Sequence, residues 1–222
     1  VGHKLSLDFK EKLNMVFGVC AMTMGIASVV LMVNMPAVIF SVVVGTAIGL
    51  AIHFGDWISR GCAQMEKIVS KIIPKKESDI SETEFRETLI TIIVLFCASG
   101  TGIYGSIVSG MTGEQSILIS KSILDFFTAI IFACLLGAVV CFIAVPQFII
   151  FMILFLAAGI IFPMTTPDMI NDFKACGGVL LLATGFRMMK VKMFPTADMI
   201  PAMVLVMPIS WIWSSYIMPL VG

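Results

Sequence analysis

The sequence predicts an all-α polytopic membrane protein, a bundle of seven spans forming one transmembrane domain over residues 1–222, and three observations carry that prediction. Hydrophobic residues make up 59% of the chain and charged residues 13%, with a mean hydropathy of +1.06; an ordinary globular domain is about 25% charged. The apolar residues gather in windows of roughly 20, the length an α-helix needs to cross hydrocarbon. Lys and Arg fall almost entirely on alternate connections between those windows, the distribution that orients a polytopic protein.

Seven windows qualify: residues 15–33, 36–54, 85–110, 116–143, 147–163, 175–190 and 198–219. Pro36, Pro146 and Pro163 mark ends, because proline fits a first helical turn or the residues just past a helix and little between. Ser81 and Glu84 form a capping box ahead of the third span. The connections on the side of the N-terminus hold Lys4, Lys10 and Lys12, then Arg60, Lys67, Lys71, Lys75, Lys76 and Arg86, then Arg187, Lys190 and Lys192, twelve of the fourteen basic residues. Lys174 falls on the opposite side and Lys121 within a span. That bias puts the start of the chain in the cytoplasm and its end outside. The chain opens on Val1 and Gly2 behind a charged segment, so further residues, up to an eighth span, are expected ahead of it.

The polar connection at about 55–87 is then cytoplasmic. Trp57, Ile58, Cys62, Met65, Ile68, Val69, Ile72 and Ile73 recur near helical spacing, with Lys67, Lys71, Lys75 and Lys76 on or beyond the other face. This is the pattern of an interfacial amphipathic helix, or equally of a surface helix packed on the ends of the spans.

Several functions are disfavoured. Net charge is zero and no basic-aromatic stretch occurs, which argues against a nucleic-acid partner. The six cysteines are scattered, and His3 and His53 stand alone, so no metal or other cofactor is expected. No H-E-x-x-H or G-x-S-x-G motif appears, and an enzyme is not expected.

Function is expected between Cys97 and Asp125, where the chain reads CASGTGIYGSIVSGMTGEQSILISKSILD. Glycines and hydroxyl residues fill membrane depth here, and irregular backbone at that depth is tolerable only where protein or water surrounds it. Ser99, Gly100, Thr101, Gly102, Tyr104, Gly105 and Ser106 are the candidate substrate-binding residues, on the expectation that the glycines break the third span and free amide and carbonyl groups for a small solute. Close helix crossing is the other use such glycines have. Gly100 to Gly105 also spells G-x-G-x-x-G, but no βαβ unit surrounds it. Counting 1.5 Å per residue from Ser116, Lys121 lies roughly 7 Å and Asp125 roughly 13 Å below the outer boundary. A charge at that depth costs at least about 2.5 to 3.5 kcal/mol and marks ion or solute paths. Asp125 and Lys121 are therefore the candidate ion-coupling pair, with a structural ion pair as the bland alternative. Asp168 and Asp172 are assigned to an outer loop, Asp172 ahead of a helix start, and carry little weight as gate or ligand.

Residues 17–38 align with 177–203: Gly18 and Val19 on Gly178 and Val179, Gly25 on Gly185, and Pro36-Ala37 on Pro201-Ala202 after a gap. The charge count runs the first span outward and the sixth inward, so the repeat is expected to be inverted, as in many secondary transporters.

The stretches GTGIYGSIVSGMTGEQSILISKSILD, GGVLLLATGF and MIPAM together resemble the YqgA-like bacterial membrane protein family, domain of unknown function 554, in order along the whole chain. The resemblance implies a bacterial inner-membrane protein with a further N-terminal span, and brings no catalytic residues. Where the resemblance implies Gly-Asp in many relatives, this chain has Gly113-Glu114, an acidic residue expected at the outer mouth. The residues together lead to a secondary transporter of a small polar solute, an amino acid or small carboxylate, coupled to protons or sodium and working by alternating access in the lipid bilayer. A channel and a non-transporting scaffold or regulator are the alternatives, and small-residue faces favour a homo-oligomer.

Overall fold

The computed structural model describes residues 7–72, 89, 92–93, 96–97 and 100–221. Ser99, the capping-box residues Ser81 and Glu84 and the rest of 73–88 lie outside the described residues. All regular structure among the described residues is helical: α1 (Leu7–Val29), α2 (Met35–Ala51), α3 (Phe54–Ile72), α4 (Gly100–Thr112), α5 (Ser116–Leu136), the short α6 (Val139–Phe142), α7 (Ala144–Ile161), α8 (Pro167–Met188) and α9 (Pro201–Ile212), which runs through a π-helical segment (Trp213–Ile217) into α10 (Met218–Val221). Among the described residues three stretches are long and apolar enough to cross a membrane, Ser116–Ala133, Val139–Met164 and Pro201–Leu220. A fourth arises if Met35–Ala51 and Phe54–Gly61, bent by 63°, form one span.

The helix ends follow local chemistry. Pro36 sits in the first turn of α2, where its missing N–H and fixed φ do no harm. Gly137, at φ 75°, ends α5, so the helix at the expected fourth span stops before residue 143. The helix at the expected sixth span, α8, starts at Pro167 rather than at residue 175. Thr166 Oγ1 accepts a hydrogen bond from Met169 N at 3.3 Å, Pro167 occupies the first turn and Asp168 faces the positive helix end. Asp168, Asp172 and Lys174 are thus helical residues of α8 rather than loop residues, concealed because their charges depress the local hydropathy. The bend between α2 and α3 falls at His53, whose φ is 52°. Strongly amphipathic α3 forms the first part of the expected connection, with Trp57 exposed.

Two antiparallel helix pairs organise the bundle. On α1 and α8 the glycines meet in reciprocal pairs: a Cβ at Gly25 would stand 2.7 Å from Gly178 O, and one at Gly178 2.7 Å from Gly25 O. Likewise a Cβ at Gly18 would stand 2.8 Å from Gly185 O, and one at Gly185 2.6 Å from Gly18 O. Backbone lies on backbone, the close approach that small residues permit between membrane helices. In the second pair, α2 packs Gly45 against Ala202 of α9 and Gly49 against the neighbouring Asp198 backbone. Val38, Val108, Phe173, Leu180, Leu181 and Val206 fill the core between the pairs. Leu89, Ile92, Ile93, Phe96 and Cys97, at helical spacing, build a second core with Leu136, Val139, Val140 and Ile143.

Polar contacts tie the ends. Buried Asp172 accepts backbone hydrogen bonds from Val33 and Asn34, each 2.9 Å, and so holds the α1–α2 connection. At the other end Asp198 Oδ1 accepts from Gly55 N at 2.7 Å. The outward faces are apolar, with Val16, Ile26, Phe126, Phe148 and Ile153 all exposed. So much uncovered hydrocarbon fits a lipid environment rather than water.

Candidate functional site

Lys121 and Asp125 are one turn apart on α5, the i, i+4 spacing that puts two side chains on one helix face. Lys121 Nζ donates to Asp125 Oδ2 at 2.5 Å. Gln147 Nε2, from the first turn of α7, donates to the same oxygen at 2.7 Å. The Lys121 side chain is 5% exposed and that of Asp125 23%, so the ammonium has turned inward to its partner instead of reaching toward an interface. Phe151 and Phe96 flank it, ring centroids 5.7 Å and 6.0 Å from Nζ, and their π faces attract a cation at that range. The absence of a side chain at residue 102 creates the space: a Cβ on Gly102 would stand 2.6 Å from Phe151 Cε1 and 2.8 Å from Lys121 Cε.

The pair lines two voids. One, a groove of about 430 Å³ between α4, α5 and α7, is lined by Ser106, Ser122, Gln147 and Phe151 with Lys121 and Asp125. The other, of about 40 Å³, is lined by Thr101, Thr128 and Thr184 with the same two charged residues. An amine entering the groove would compete with Lys121 for the carboxylate, and an anion would compete with Asp125 for the ammonium. A proton or cation on Asp125 would likewise release Lys121.

The predicted residues divide by helix face. Thr101, Gly102 and Ser106 come together with Lys121 and Asp125. Gly105 faces α5 as well, but serves packing, since a Cβ there would stand 3.0 Å from Ile117 and Leu118. Tyr104 is turned the other way: its hydroxyl donates to Ser28 Oγ at 3.3 Å, its ring lies 6.0 Å from Phe173, and Gly177 makes room for it. Ser99 lies outside the described residues, and Gly100 opens the described run of α4. The expected break is not present there. From Gly100 to Thr112 the helix is continuous, Ser106 Oγ donates to Gly102 O within it at 2.7 Å, and the glycines serve close crossing instead of freeing backbone groups.

Gln147, Phe96 and Phe151 escaped the sequence reading. Gln147 had a usable signal, being the sole carboxamide between Phe126 and Phe162. At the mouth, Glu114 accepts from Lys174 Nζ at 2.5 Å and from Ser116 Oγ at 3.0 Å. The Lys174 hydrogen bond, ahead of an opposing effect of burial, holds the Glu114 carboxyl below its usual range. Among the described residues no group of three or more His, Cys, Asp and Glu gathers as a metal site would require.

Comparison with known proteins places the chain. It is 42% identical to "Uncharacterized protein YqgA" of Escherichia coli (strain K12) over 218 residues, 97% of this chain and 90% of the relative. It is 26% identical to "Uncharacterized membrane protein YdfK" of Bacillus subtilis (strain 168) over 131 residues, 59% of this chain and 57% of that protein. No solved structure matches. The profile of the family described as "Protein of unknown function (DUF554)" matches residues 1–211, and the chain belongs to that family.

Proposed function

We propose that this protein is a secondary transporter of a small polar solute, an amino acid or small carboxylate, in the bacterial inner membrane, working by alternating access with proton or sodium coupling at Asp125. The observation that carries the reading is the Lys121–Asp125 pair, which lines two separate voids. A charge pair at membrane depth is costly unless it works, and this one can exchange partners with whatever enters. Ser106, Ser122 and Gln147 supply neutral polar groups along the groove.

The seven-span count belongs to the same reading, with α1, α2, the segment ending in α4, α5, α7, α8 and the α9–α10 run as the spans. So does the inverted repeat. Exchanging Gly18 with Gly178 and Gly25 with Gly185 turns the Gly18–Gly185 contact into the Gly178–Gly25 contact, as a two-fold axis between α1 and α8 would require. The contacts after α1, after α4 and in the first two turns of α8 share one end, and those after α2 and after α8 the other, which supports the cytoplasmic assignment of the charged connection.

Counterflow in proteoliposomes with labelled amino acids and small carboxylates tests the reading, with and without proton or sodium gradients. Saturable exchange that Asp125→Asn abolishes or uncouples is expected. Normal transport by Asp125→Asn under every gradient removes Asp125 from the mechanism, and conductance without exchange replaces the carrier by a channel.

A further inference from the structure

We propose that Asp172, Asn34, Ser210 and Ser214 form a binding site for a monovalent alkali cation, apart from the Lys121–Asp125 groove. Asp172 and Ser210 are fully buried and Asn34 is 2% exposed. No Lys, Arg or His pairs with Asp172 among the described residues; its four donors, Val33 N, Asn34 N, Asn34 Nδ2 and Ser210 Oγ, are all neutral. A buried carboxylate with no counter-charge is a costly arrangement, and it calls for a positive partner.

The second observation is Asn34. Its Nδ2 donates to Asp172 Oδ2 at 2.9 Å and to Ser214 Oγ at 3.0 Å, while its Oδ1 is buried with no hydrogen-bond partner. Buried polar atoms are rarely orphaned, and with no partner at Oδ1 only the two Nδ2 hydrogen bonds set which way round the amide sits. A half-turn of the carboxamide exchanges Oδ1 and Nδ2, which occupy nearly the same shape. Oδ1 then stands where Nδ2 stood, beside the oxygens of Asp172 and Ser214. Oxygens set so closely repel unless a cation lies among them. The Asn34 amide is therefore a two-position ligand, donating to Asp172 in one orientation and presenting its oxygen to the cation in the other.

The donor set selects the ion. All four side chains offer hard oxygens, which suits alkali or alkaline-earth cations over transition metals. With one carboxylate, a single positive charge neutralises the site, whereas a divalent ion would leave a net charge buried. Ser214 belongs to the π-helical segment Trp213–Ile217, and π-helical turns recur at functional sites. The site therefore joins the α1–α2 connection, α8 and the α9 extension, three elements that meet at one end of the bundle.

The test is thermal unfolding of the purified chain in lipid nanodiscs, sodium chloride replacing choline chloride at constant ionic strength. A ligand that binds only the folded state raises the midpoint in a saturable way. The parent protein should show that rise with sodium and not with choline. Ser214→Ala leaves all four Asp172 hydrogen bonds in place, so it should fold, and it should raise the half-saturating sodium concentration by about tenfold or more. Asn34→Ala should abolish the response. Equal midpoints in sodium and choline for the parent overturn the proposal, as does a Ser214→Ala response identical to the parent's. Asp125→Asn separates the two sites: loss of the sodium response there, with Ser214→Ala unchanged, moves the cation to the groove. Calcium saturating at lower concentration than sodium overturns the monovalent assignment.

Discussion

Breaking the Lys121–Asp125 pair from one side should destabilise the protein far more than removing it whole. Asp125→Leu strands an ammonium that is 5% exposed, and losing one partner of a buried pair costs about 3–5 kcal/mol. The Phe96 and Phe151 rings at 6.0 and 5.7 Å offset about 1 kcal/mol of that, giving a net loss of roughly 2–4 kcal/mol. Lys121→Met is milder, because Asp125 is 23% exposed at the groove and keeps its hydrogen bond from Gln147; about 1–2 kcal/mol is expected for a partly hydrated carboxylate with one partner left. The double variant Lys121→Met/Asp125→Leu should return to within about 1 kcal/mol of the parent, since a buried pair replaced by apolar groups is often neutral. Equilibrium unfolding in mixed micelles gives all four corners of the cycle. Additivity of the single changes within about 0.5 kcal/mol would refute the coupling. The same double variant divides structure from function: folded and inactive in counterflow, it makes the pair part of transport, while folded and active it leaves the pair a packing device.

Three further outcomes follow from the geometry. Gly178→Val should cost about 1–3 kcal/mol or more, because its Cβ would meet Gly25 O at 2.7 Å and the opposing backbone cannot yield, whereas Gly159→Ala in α7, with nothing within 4 Å, should stabilise by about 0.5–1 kcal/mol; both are read by thermal unfolding. Glu114 has a folded pKa below its ordinary 4.5, held there by Lys174. Its contribution is complete above the unfolded value and is lost as pH falls through the folded one, so Glu114→Gln should lower the midpoint near neutrality and leave it unchanged at the acid limit. An exposed pair makes that effect at most about 1 kcal/mol. In a chain freed of its own cysteines, His53→Cys and Gln115→Cys should label from opposite faces with an impermeant maleimide, Gln115→Cys in intact cells and His53→Cys only after permeabilisation; labelling of both from one face removes the alternating topology.

The sequence was most legible where one chemical property repeats along a helix. Apolar windows located most of the helical segments because hydrocarbon-facing helices are apolar on nearly every side, as Phe148 and Ile153 illustrate. The same measure hid the first two turns of α8, whose start is signalled by Thr166 and Pro167. Lys121 and Asp125 were readable as a pair because their partnership lies within one helix. Gln147, Phe96 and Phe151 were not, since each reaches the pair from another segment and only packing brings them there. Tyr104 failed for a simpler reason. At 100° per residue it stands about 200° round the helix from Gly102 and from Ser106, so neighbours in sequence end on opposite faces. Glycine composition alone does not separate a broken helix from a close crossing, and in α4 it is the crossing that the chain adopts.

The helix pairs also explain where movement would be resisted. Gly18, Gly25, Gly178 and Gly185 bring backbone against backbone, with Met22, Leu181 and Met189 packed into the crossings, so α1 and α8 are set to move as one unit. The polar restraints are at the ends, where Asp172 holds Val33 and Asn34 and Asp198 holds Gly55. On the alternating-access reading, each end opens by giving up its own carboxylate contact. Asp198→Ala removes one charge-assisted hydrogen bond of 2.7 Å that is part-buried, about 1.5 kcal/mol. The open population at that end should rise roughly tenfold. A cysteine at Ala197 should therefore react with maleimide about tenfold faster in the Asp198→Ala background, while one at Gln115, at the opposite end, keeps its rate. An equal acceleration at both positions would mean that Asp198 supports the whole bundle, and a rate unchanged at Ala197 would mean that the contact with Gly55 restrains nothing.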